Sequence, residues 1–382
     1  MTEFIGPGGT IGILGAGQLG RMLALVARRM GYRVVVFGGD RGSPAGQVCD
    51  DVWAGDYGDP DRLREFAAAA DVVTYEFENI PSAAAAAIAE QTPLRPGSAL
   101  LAAAQNRFVE KSELTSIGLT TADFCMVRSG SELDEAVQRM GGAAILKANT
   151  DGYDGKGQWS VTSETDLHTL WSESGLPEAI VEQRIDFDFE LSVMGGRFAN
   201  GSCCFFDPFL NHHANHILDV TVSASPLISP ETAAEATEIA RAVLEHFDVI
   251  GVLCIELFLT TDGRLVVNEI APRPHNSGHL TIEAYDCSQF ELQLRTICGY
   301  PPSTPARLAP AAAMSNLLGQ HLPEHWDGNS AALLSESRSN LHLYGKSGRS
   351  VNRKMGHITA TAQTAAAAEQ RVRGARDGLV SA

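Results

Sequence analysis

Two glutamates in a short apolar stretch carry the clearest chemical signal in this sequence. Residues 254–270 read as two strands around Asp262-Gly263, and aspartate followed by glycine between apolar runs is a strong hairpin signal. With those two residues at the centre of the turn, Glu256 lies directly opposite Glu269, where like charges repel unless a cation separates them. Carboxylate oxygens, completed by water and substrate phosphates, hold Mg²⁺ in nucleotide-using enzymes. The segment therefore predicts a metal site, and the alternative is two solvated glutamates on an ordinary hairpin.

A second candidate is the glycine turn at residues 15–20, which follows an apolar strand at 11–14 and opens a helix. Glycines at such a turn let the backbone approach an anion, and a helix N-terminus favours negative charge. Asp40 lies near the spacing at which a dinucleotide fingerprint places its ribose-binding acid, so a dehydrogenase is one alternative. A tight strand-to-helix turn without a ligand explains the same residues nearly as well.

Basic residues accompany a second glycine-rich stretch, at residues 151–157. Lys147 ends an apolar strand at 143–146 just before it, and Lys111 lies one turn after Arg107 on a predicted helix. A lysine at a strand end beside such a loop suits nucleotide phosphates, although a single lysine is more often only solvated. Glycine-rich loops of this kind usually close over a substrate, and we expect the same here.

Two acids follow a buried strand predicted at 71–75. Ligands of open α/β sheets bind beyond the carboxyl ends of the strands, so Glu76 is a candidate for binding sugar hydroxyls. Glu78 is interpreted instead as a helix N-terminal carboxylate that complements the helix dipole. Further along, Glu182 and Glu190 flank a hinge where they could bind an adenine amino group and a ribose. Taken alone, that segment reads only as a strand with polar alternation.

Two later segments gather cationic side chains. Prolines and a glycine in residues 271–279 prevent a regular element, so that Arg273, His275 and His279 share one fixed loop near the metal site. A single histidine is usually structural, but histidines in a rigid polar loop beside a metal are more often functional. Residues 344–357 form a basic patch where we expect a monoester phosphate, although some of its charges could be solvated. Its five cations are Lys346, Arg349, Arg353, Lys354 and, if protonated, His357.

The elements that must position these residues fall into three parts. Short apolar runs alternate with helical stretches at the start of the chain, which is typical of βαβ units with a parallel sheet. A single helix is predicted next, over 99–117. A chain of 382 residues is long enough for two to three domains. We predict domain boundaries at 1–104, at 105–300 with a smaller α+β lobe at about 119–181, and at 301–382, where strands and an alanine-rich helix follow a proline-rich linker.

Composition narrows the classes of function. No apolar run approaches the roughly 18 residues of a membrane span, and the N-terminus lacks the pattern of a signal peptide, so we expect a cytoplasmic protein. The net charge of −17 argues against binding to nucleic acid or anionic membranes. The seven cysteines are scattered. Because Cys203 and Cys204 would point to opposite faces of a strand, neither a disulfide nor a metal cluster is expected.

Taken together, these segments resemble the ATP-grasp superfamily and, within it, the 5-(carboxyamino)imidazole ribonucleotide synthetases of purine biosynthesis. The resemblance covers nearly the whole chain, and its motifs are specific only as a set. They include Tyr-Glu-Phe-Glu at 75–78, Gly-Tyr-Asp-Gly-Lys-Gly-Gln at 152–158, Asn-Glu-Ile-Ala-Pro-Arg at 268–273 and Arg-Lys-Met-Gly-His at 353–357. The resemblance implies an α/β ATP-grasp fold with an N-terminal Rossmann-like parallel-sheet domain, a central two-lobed α+β ATP-grasp domain and a small C-terminal domain.

The resemblance also implies a reaction. ATP, bicarbonate and 5-aminoimidazole ribonucleotide would give 5-(carboxyamino)imidazole ribonucleotide, ADP and phosphate through carboxyphosphate, with Mg²⁺ or, in its place, Mn²⁺. The partners it implies are small-molecule substrates only, with no nucleic acid and no membrane. It further implies a homodimer that hands its product to the mutase of the next pathway step.

Carried over position by position, the resemblance implies roles for individual residues. The metal ligands are Glu256 and Glu269. The ATP-binding residues are Arg107, Lys111, Lys147, Gly152, Gly155, Gly157, Gln158, Glu182, Gln183, Ile185, Glu190, Phe258 and Asn268. The ribonucleotide-binding residues are Gly17, Gln18, Leu19, Glu76, Lys346, Arg353 and Lys354. The catalytic residues of carboxyl transfer are Tyr153, Asp154, Lys156, Arg273 and His275.

The sequence departs from the family pattern at two places. His216 stands where a glycine is common, and residues 37–44 alter the usual acid-proline-alanine turn. Two other functions remain open. Formate-dependent formylation of glycinamide ribonucleotide would use the same ATP half, although Gln18 and the 152–154 segment favour the imidazole acceptor. The chain could also be a nucleotide-binding module without catalysis, against which the retained Glu256 and Glu269 argue.

Overall fold

The computed structural model describes residues 4–150 and 157–381. The first part of the chain forms a four-stranded parallel sheet in the order β3-β2-β1-β4 with flanking helices, as the sequence predicted. The strands are apolar because helices cover both faces of the sheet. Its elements are β1 (Thr10–Leu14), α1 (Gln18–Arg29), β2 (Arg33–Phe37), β3 (Asp51–Trp53), α2 (Pro60–Ala68), β4 (Val72–Tyr75) and α3 (Ser82–Ala89).

The predicted single helix over 99–117 is wrong. The segment forms two helices, α4 (Ser98–Ala104) and α5 (Arg107–Ser116). Asn106 separates them, because its extended backbone starts a new helix and its side chain accepts a hydrogen bond from Val109 N. Asparagine is one of the strongest helix N-caps. The break matters for the site, since it sets the direction of α5 and therefore of Arg107.

A small antiparallel sheet follows, in the order β5-β8-β6-β7, with two helices packed on it. Its elements are β5 (Phe124–Val127), α6 (Gly130–Arg139), β6 (Ala143–Ala148), β7 (Gln158–Thr162), α7 (Leu167–Ser174) and β8 (Ala179–Gln183). The chain leaves this sheet at the end of β8 and enters the large sheet three residues later. That short crossing is the hinge predicted between Glu182 and Glu190.

The large sheet contains nine strands, in the order β14-β13-β9-β11-β12-β15-β17-β16 with β10 beside β9. The strands are β9 (Phe187–Arg197), β10 (Cys203–Phe205), β11 (Phe209–Ala214), β12 (Ile217–Val222), β13 (Gly251–Thr260), β14 (Leu265–Ala271), β15 (Ala311–Leu318), β16 (Asn340–Leu343) and β17 (Lys354–Ala362). The helices are α8 (Pro230–His246), α9 (Thr281–Ala284), α10 (Gln289–Ile297), α11 (Gly328–Ser337) and α12 (Ala365–Ser381), with 3₁₀ turns at Asn276–Leu280 and Gly319–His321. Because β15 pairs with β12, the C-terminal strands continue the central sheet. The domain boundaries drawn from the sequence stay a prediction.

The glutamate hairpin is confirmed, with one correction. Glu256 pairs with Glu269 across β13 and β14, as predicted. The turn is longer than the predicted two residues, because Thr260 N bonds to Arg264 O and three residues form the loop. The register shifts by one at Asn268, a bulge that restores the pairing of the glutamates. The longer turn and the bulge shift the register in opposite directions, so their effects on the pairing of the glutamates cancel.

Of the seven cysteines, the adjacent pair on β10 alternates in burial, as predicted. All seven are free thiols, and on β10 Cys204 is buried while Cys203 is half-buried. Within residues 4–150 and 157–381, no group of three His, Cys, Asp or Glu side chains could hold a metal ion. No helix in the same residues is long and apolar enough to cross a membrane.

Candidate active site

One cleft with a volume of about 1460 Å³ lies between the three sheets. Among the described residues, it collects nearly every predicted site residue, although these are scattered over the whole chain. The exceptions are Lys111 and Gly157, which do not line it. The predicted residues that do are Gly17, Gln18, Leu19, Glu76, Arg107, Lys147, Gln158, Glu182, Gln183, Ile185, Glu190, Glu256, Phe258, Asn268, Glu269, Arg273, His275, Lys346, Arg353 and Lys354.

The remaining predicted residues lie outside the described part of the chain. They are Gly152, Tyr153, Asp154, Gly155 and Lys156. The two ends of this segment are anchored at the cleft, because Lys147 pairs with Gln158 and Ala148 N donates to Gly157 O at 2.7 Å. Gly157 has a φ of 69°, a left-handed conformation that favours glycine.

The two metal-site glutamates each have a cationic partner of their own. Glu269 Oε2 lies 3.0 Å from Arg107 Nη1, and Glu256 Oε1 lies 3.0 Å from His275 Nε2. Burial raises the pKa of Glu269, but the charges of Arg107 and Lys147 outweigh it and lower the pKa below its ordinary value. Burial lowers the pKa of His275, whereas Cys254 and Glu256 raise it, to about 10. The sequence predicted one cation between the carboxyls, and the structure supplies two protein cations at their ends.

This donor set fits a magnesium ion. The two carboxyls occupy facing positions of one ladder and both line the cleft. Mg²⁺ is typically held by one or two carboxylates together with water and substrate phosphates. A bound ion would compete with Arg107 and His275 for the same oxygens, so these two cations keep the carboxyl charge balanced without it.

Glu182 organises the other end of the cleft. Its Oε2 accepts from Lys147 Nζ at 2.8 Å and lies 3.4 Å from Lys111 Nζ, while its Oε1 has no hydrogen-bond partner among the described residues. Burial raises the pKa of Glu182, but the two lysines outweigh it and lower the pKa. A buried acceptor without a partner costs free energy, and an adenine amino group would satisfy it.

Lys111 is placed differently from the prediction. Its side chain is 1% exposed and also donates to Asn268 O at 3.2 Å. It therefore bridges β8 of the small sheet and β14 of the large sheet behind the cleft wall. Burial lowers its pKa. The role that this geometry supports is to orient Glu182 and to hold the two sheets together.

The side of the cleft formed by β9 and β13 is aromatic and acidic. The rings of Phe187 and Phe258 are stacked, with centroids 4.4 Å apart. Glu190 lies opposite Phe258 on the paired strand, and its Oε2 lies 2.7 Å from His213 Nδ1. Burial lowers the pKa of His213, but Glu190 outweighs it and raises the pKa. This histidine partner was not predicted.

The glycine turn at 15–20 holds a carboxylate of the protein itself. Glu76 accepts hydrogen bonds from Gly17 N and from Gly20 N, the latter at 2.6 Å. A Cβ atom on Gly17 would lie 2.7 Å from Glu76 Oε1, which explains why this position is glycine. Burial raises the pKa of Glu76, although the two amides lower it. The anion site that the sequence predicted at this helix N-terminus is therefore filled from within.

The basic patch is smaller than predicted. Lys346 Nζ donates to Gln18 Oε1 at 2.5 Å and to Lys354 O at 2.7 Å, which joins β17 to the start of α1. Arg349 instead binds the carbonyls of Leu322 and Pro323 and does not line the cleft. His357 is fully buried, and burial lowers its pKa well below the ordinary value, so it carries no charge. Of the five cations predicted in this patch, three line the cleft: Lys346, Arg353 and Lys354.

The interpretation of Glu78 as a helix N-terminal carboxylate is wrong. The next helix starts only at Ser82, with Pro81 as its N-cap. Glu78 Oε1 lies 2.5 Å from Arg273 Nη2 instead. This ion pair joins the end of β4 to residues 271–279, which we call the histidine loop. It therefore aligns the two walls of the cleft.

Glu110 is a site residue that sequence reasoning missed. It is 2% exposed, lines the cleft and accepts a hydrogen bond from Ile270 N at 2.6 Å. Burial and the neighbouring charge of Glu269 raise its pKa to about 8. The available signal is its position between Arg107 and Lys111 on one helix. The sequence analysis assigns those two basic residues to ATP binding but gives the acid between them no role.

Fold and site together define an ATP-grasp enzyme, in which a small and a large sheet enclose a lysine-lined nucleotide cleft with paired carboxylates. Residues 112–290 match the ATP-grasp domain family. Residues 9–105 match the ribonucleotide synthetase preATP-grasp domain, and residues 312–371 match the phosphoribosylaminoimidazole carboxylase C-terminal domain. The ATP-grasp match accounts for the part of the chain that a dehydrogenase would leave unexplained.

Within that class, the chain belongs to the N5-carboxyaminoimidazole ribonucleotide synthase family. It is 41% identical over 355 residues to the synthase of Brucella melitensis, covering 92% of this chain and 96% of the relative. It is 38% identical to the synthase of Bacillus subtilis, covering 94% of this chain and 92% of the relative. The family assignment predicted from the sequence motifs is confirmed.

Solved structures agree. The Staphylococcus aureus N5-carboxyaminoimidazole synthetase complexed with ADP is 34% identical with a TM-score of 0.88, covering 98% of this chain and 99% of that one. The Aspergillus clavatus N5-carboxyaminoimidazole synthase, in complex with ADP and 5-aminoimidazole ribonucleotide, is 28% identical with a TM-score of 0.87 and the same coverage. The predicted fold is therefore confirmed as well.

Proposed function

We propose that this chain carboxylates the amino group of 5-aminoimidazole ribonucleotide, using ATP and bicarbonate and releasing ADP and phosphate. The observation that carries the proposal is the single cleft shared by a nucleotide end, two facing carboxyls and a basic acceptor end. Bicarbonate attacks the terminal phosphorus of ATP, and ADP leaves as carboxyphosphate forms. The acceptor amine then attacks the carboxyl carbon, phosphate leaves, and the amine loses a proton.

At the nucleotide end, the hinge after β8 would bind the adenine. The free Oε1 of Glu182 accepts from the adenine amino group, with Gln183 and Ile185 lining the same hinge. Lys147 and Arg107 neutralise the phosphates, with Glu182 and Glu269 respectively as their partners in the protein. Glu256 and Glu269 would hold Mg²⁺, which supplies positive charge to the transferring phosphate.

At the acceptor end, the phosphate of the ribonucleotide would bind to Lys346, Arg353 and Lys354. Glu76 is bonded to the glycine turn and lines the same cleft, and its remaining lone pairs can accept from ribose hydroxyls. Two amides of the turn are already bonded to Glu76, so they add little to phosphate binding. This assignment places the phosphate on side chains and moves it away from the helix N-terminus.

The carboxyl-transfer centre lies between these ends. Arg273 and His275 follow Glu269 along the chain and line the cleft. His275 directs its Nε2 toward Glu256 at 3.0 Å, while its Nδ1 accepts a hydrogen bond from Ser277 N at 3.3 Å. Its Nε2 proton can stabilise negative charge on bicarbonate and carboxyphosphate. Tyr153, Asp154 and Lys156 are proposed to complete this centre.

A coupled ATPase assay tests the function. ADP release should require both bicarbonate and 5-aminoimidazole ribonucleotide for full rate, and omission of either should lower it. Formate with glycinamide ribonucleotide is the control, because it probes the related formylation reaction on the same ATP half. Faster turnover with that pair would replace the proposed acceptor while keeping the ATP-grasp assignment.

The remaining parts of the proposal concern organisation. Mg²⁺ or Mn²⁺ as cofactor, a homodimer, a cytoplasmic location and hand-off to the next mutase are proposed from the family. So are domains at 1–104, 105–300 and 301–382. The acidic net charge of −17 is consistent with free diffusion without nucleic-acid binding. The mass of the purified protein in solution measures the oligomeric state directly.

A further inference from the structure

Three imidazole rings lie against one another where residues 275–280 meet β16 and β17: His357 and His342 are stacked, and His279 is tilted by 34° against His357. His279 lies on the 3₁₀ turn Asn276–Leu280, His357 on β17 and His342 on β16. The ring of His357 lies 4.6 Å from that of His279 and 4.4 Å from that of His342. His279 and His357 are fully buried. No step of the proposed reaction uses either of them.

Hydrogen bonds determine which nitrogen of His279 carries its proton. Gln289 Oε1 accepts from His275 N at 2.8 Å, so the amide orientation of Gln289 is fixed. Its Nε2 must then donate, to His275 O at 2.7 Å and to His279 Nδ1 at 3.0 Å. His279 is therefore neutral with its proton on Nε2. Gln289 thus joins the proposed catalytic His275 to His279.

The other two rings also have hydrogen-bond partners. Tyr344 Oη lies 2.9 Å from His357 Nδ1. At the outer end, His342 Nε2 lies 2.7 Å from Glu283 Oε1, and Thr359 Oγ1 donates to Glu283 Oε2 at 2.7 Å. Glu283 lies on α9, directly after the histidine loop. These contacts run from His279 on the 3₁₀ turn through β17 and β16 to Glu283 on α9, the helix that follows this turn.

The loop and the strand that these contacts join both reach the proposed site. The loop side carries His275, which contacts Glu256. The strand side begins with Lys354, whose carbonyl accepts from Lys346 Nζ at 2.7 Å. Two of the three rings are buried, and polar rings cost more to bury than apolar ones, so stability alone does not explain histidines at these two positions. Directional bonds fix one relative position, as buried polar networks can do.

We propose that His279 and His357 are positioning residues, which set the distance between the phosphate-binding lysines and the carboxyl-transfer loop. This inference rests on the proposed function. A ribonucleotide bound by its phosphate at Lys346 and Lys354 presents its amino group to the loop only if that distance is held. These contacts therefore act on the acceptor end of the cleft and not on the hinge after β8, where the adenine is proposed to bind.

Paired substitutions test this inference. His357→Phe keeps a stacked ring but removes the bond to Tyr344, and Tyr344→Phe removes the same bond from the other side. Each should raise the KM for 5-aminoimidazole ribonucleotide about tenfold, equivalent to about 1.4 kcal/mol, with the KM for ATP within about twofold. The double variant should show no further loss, because both changes remove one interaction.

The melting temperature separates positioning from simple support. The double variant removes both members of this buried hydrogen bond and should melt no lower than the unsubstituted protein, even as its KM for the acceptor rises. Equal KM values in all variants would overturn the inference. An equal rise in the KM for both substrates would overturn it as well. If His357→Phe does not fold, Tyr344→Phe alone decides. Failure of the proposed function would instead appear in the unsubstituted protein, as no turnover with this acceptor.

Discussion

At the scale of single residues, the structure gives each reactive group a specific partner. Glu269 is paired with Arg107 and Glu256 with His275. Glu78 is paired with Arg273, and Glu76 with two backbone amides. Because every acid at the cleft has a donor, substrates and metal must exchange partners with the protein when they bind. Substitutions should therefore affect turnover more than folding.

The metal site gives the first prediction. Glu269→Gln keeps a hydrogen-bond acceptor for Arg107 but removes the charge, so Mg²⁺ should bind weakly and kcat should fall about 100-fold or more. The melting temperature should change little. Glu65→Gln is the matched control, since Glu65 has an exposed arginine partner far from the cleft. Steady-state ATPase rates against Mg²⁺ concentration make the measurement, and near-normal kcat at saturating Mg²⁺ would contradict the metal role.

The basic patch gives the second prediction. Arg353→Ala should raise the KM for 5-aminoimidazole ribonucleotide about tenfold, because a charge-assisted contact is worth about 1.5–3 kcal/mol. The KM for ATP should barely move. Arg349→Ala is the control from the same segment, since Arg349 binds carbonyls away from the cleft. Equal effects of the two substitutions would mean that Arg353 has no special place in phosphate binding.

At the scale of elements, the departure at His216 has a physical reading. Asn215 and His216 are the two turn residues between β11 and β12, since Ala214 pairs with Ile217. Their φ values are 50° and 65°, a left-handed conformation at both positions. This is a type I′ turn, in which glycine is preferred at the second position. The side chain of His216 is therefore kept at some cost in stability.

This turn gives the third prediction. His216→Gly should raise the free energy of unfolding by about 1 kcal/mol, because a residue with a Cβ is strained in the left-handed region. His216→Ala is the control, since it removes the imidazole but retains the Cβ and the strain. Urea denaturation of the three proteins provides the comparison. Equal stability of the glycine and alanine variants would show that the backbone is relaxed at this position.

At the scale of the whole molecule, the buried histidines link stability to pH. Burial lowers the pKa of His279 and of His357 well below the ordinary value, and the neighbouring His342 acts in the same direction on both. His275, Lys354 and Arg273 act in the same direction on His279. Below about pH 6.5, His279 and His357 therefore bind protons in the unfolded chain but not in the folded chain.

The fourth prediction follows from that linkage. The free energy of unfolding should fall as the pH drops from 6.5 towards 5, by up to about 1.4 kcal/mol per pH unit for each of the two histidines. Above pH 7 they contribute no pH dependence. His357→Phe should reduce the slope by one proton. Unfolding curves at several pH values supply the slopes, and identical slopes for the two proteins would show that His357 accepts its proton in the folded state.

The sequence by itself determined the local features and the identity of the family. Apolar periodicity predicted the parallel sheet at the N-terminus, and the Asp-Gly turn predicted the pairing of Glu256 with Glu269. Most cleft residues could be named as well, because their motifs carry their chemistry in short segments. These features depend on neighbours along the chain, or on the period of a strand or helix, which a single sequence displays directly.

Only the tertiary structure decided which groups became partners. Arg107 and Glu269 are 162 positions apart, and Lys346 and Gln18 are 328 apart. Glu76 fills the glycine turn, Lys111 is buried behind Glu182, and His357 is a neutral ring in a stack. Each outcome depends on burial and on charges brought together by strand order, because partners and desolvation set the state of an ionisable group. Neither quantity can be read from the spacing of residues along the chain.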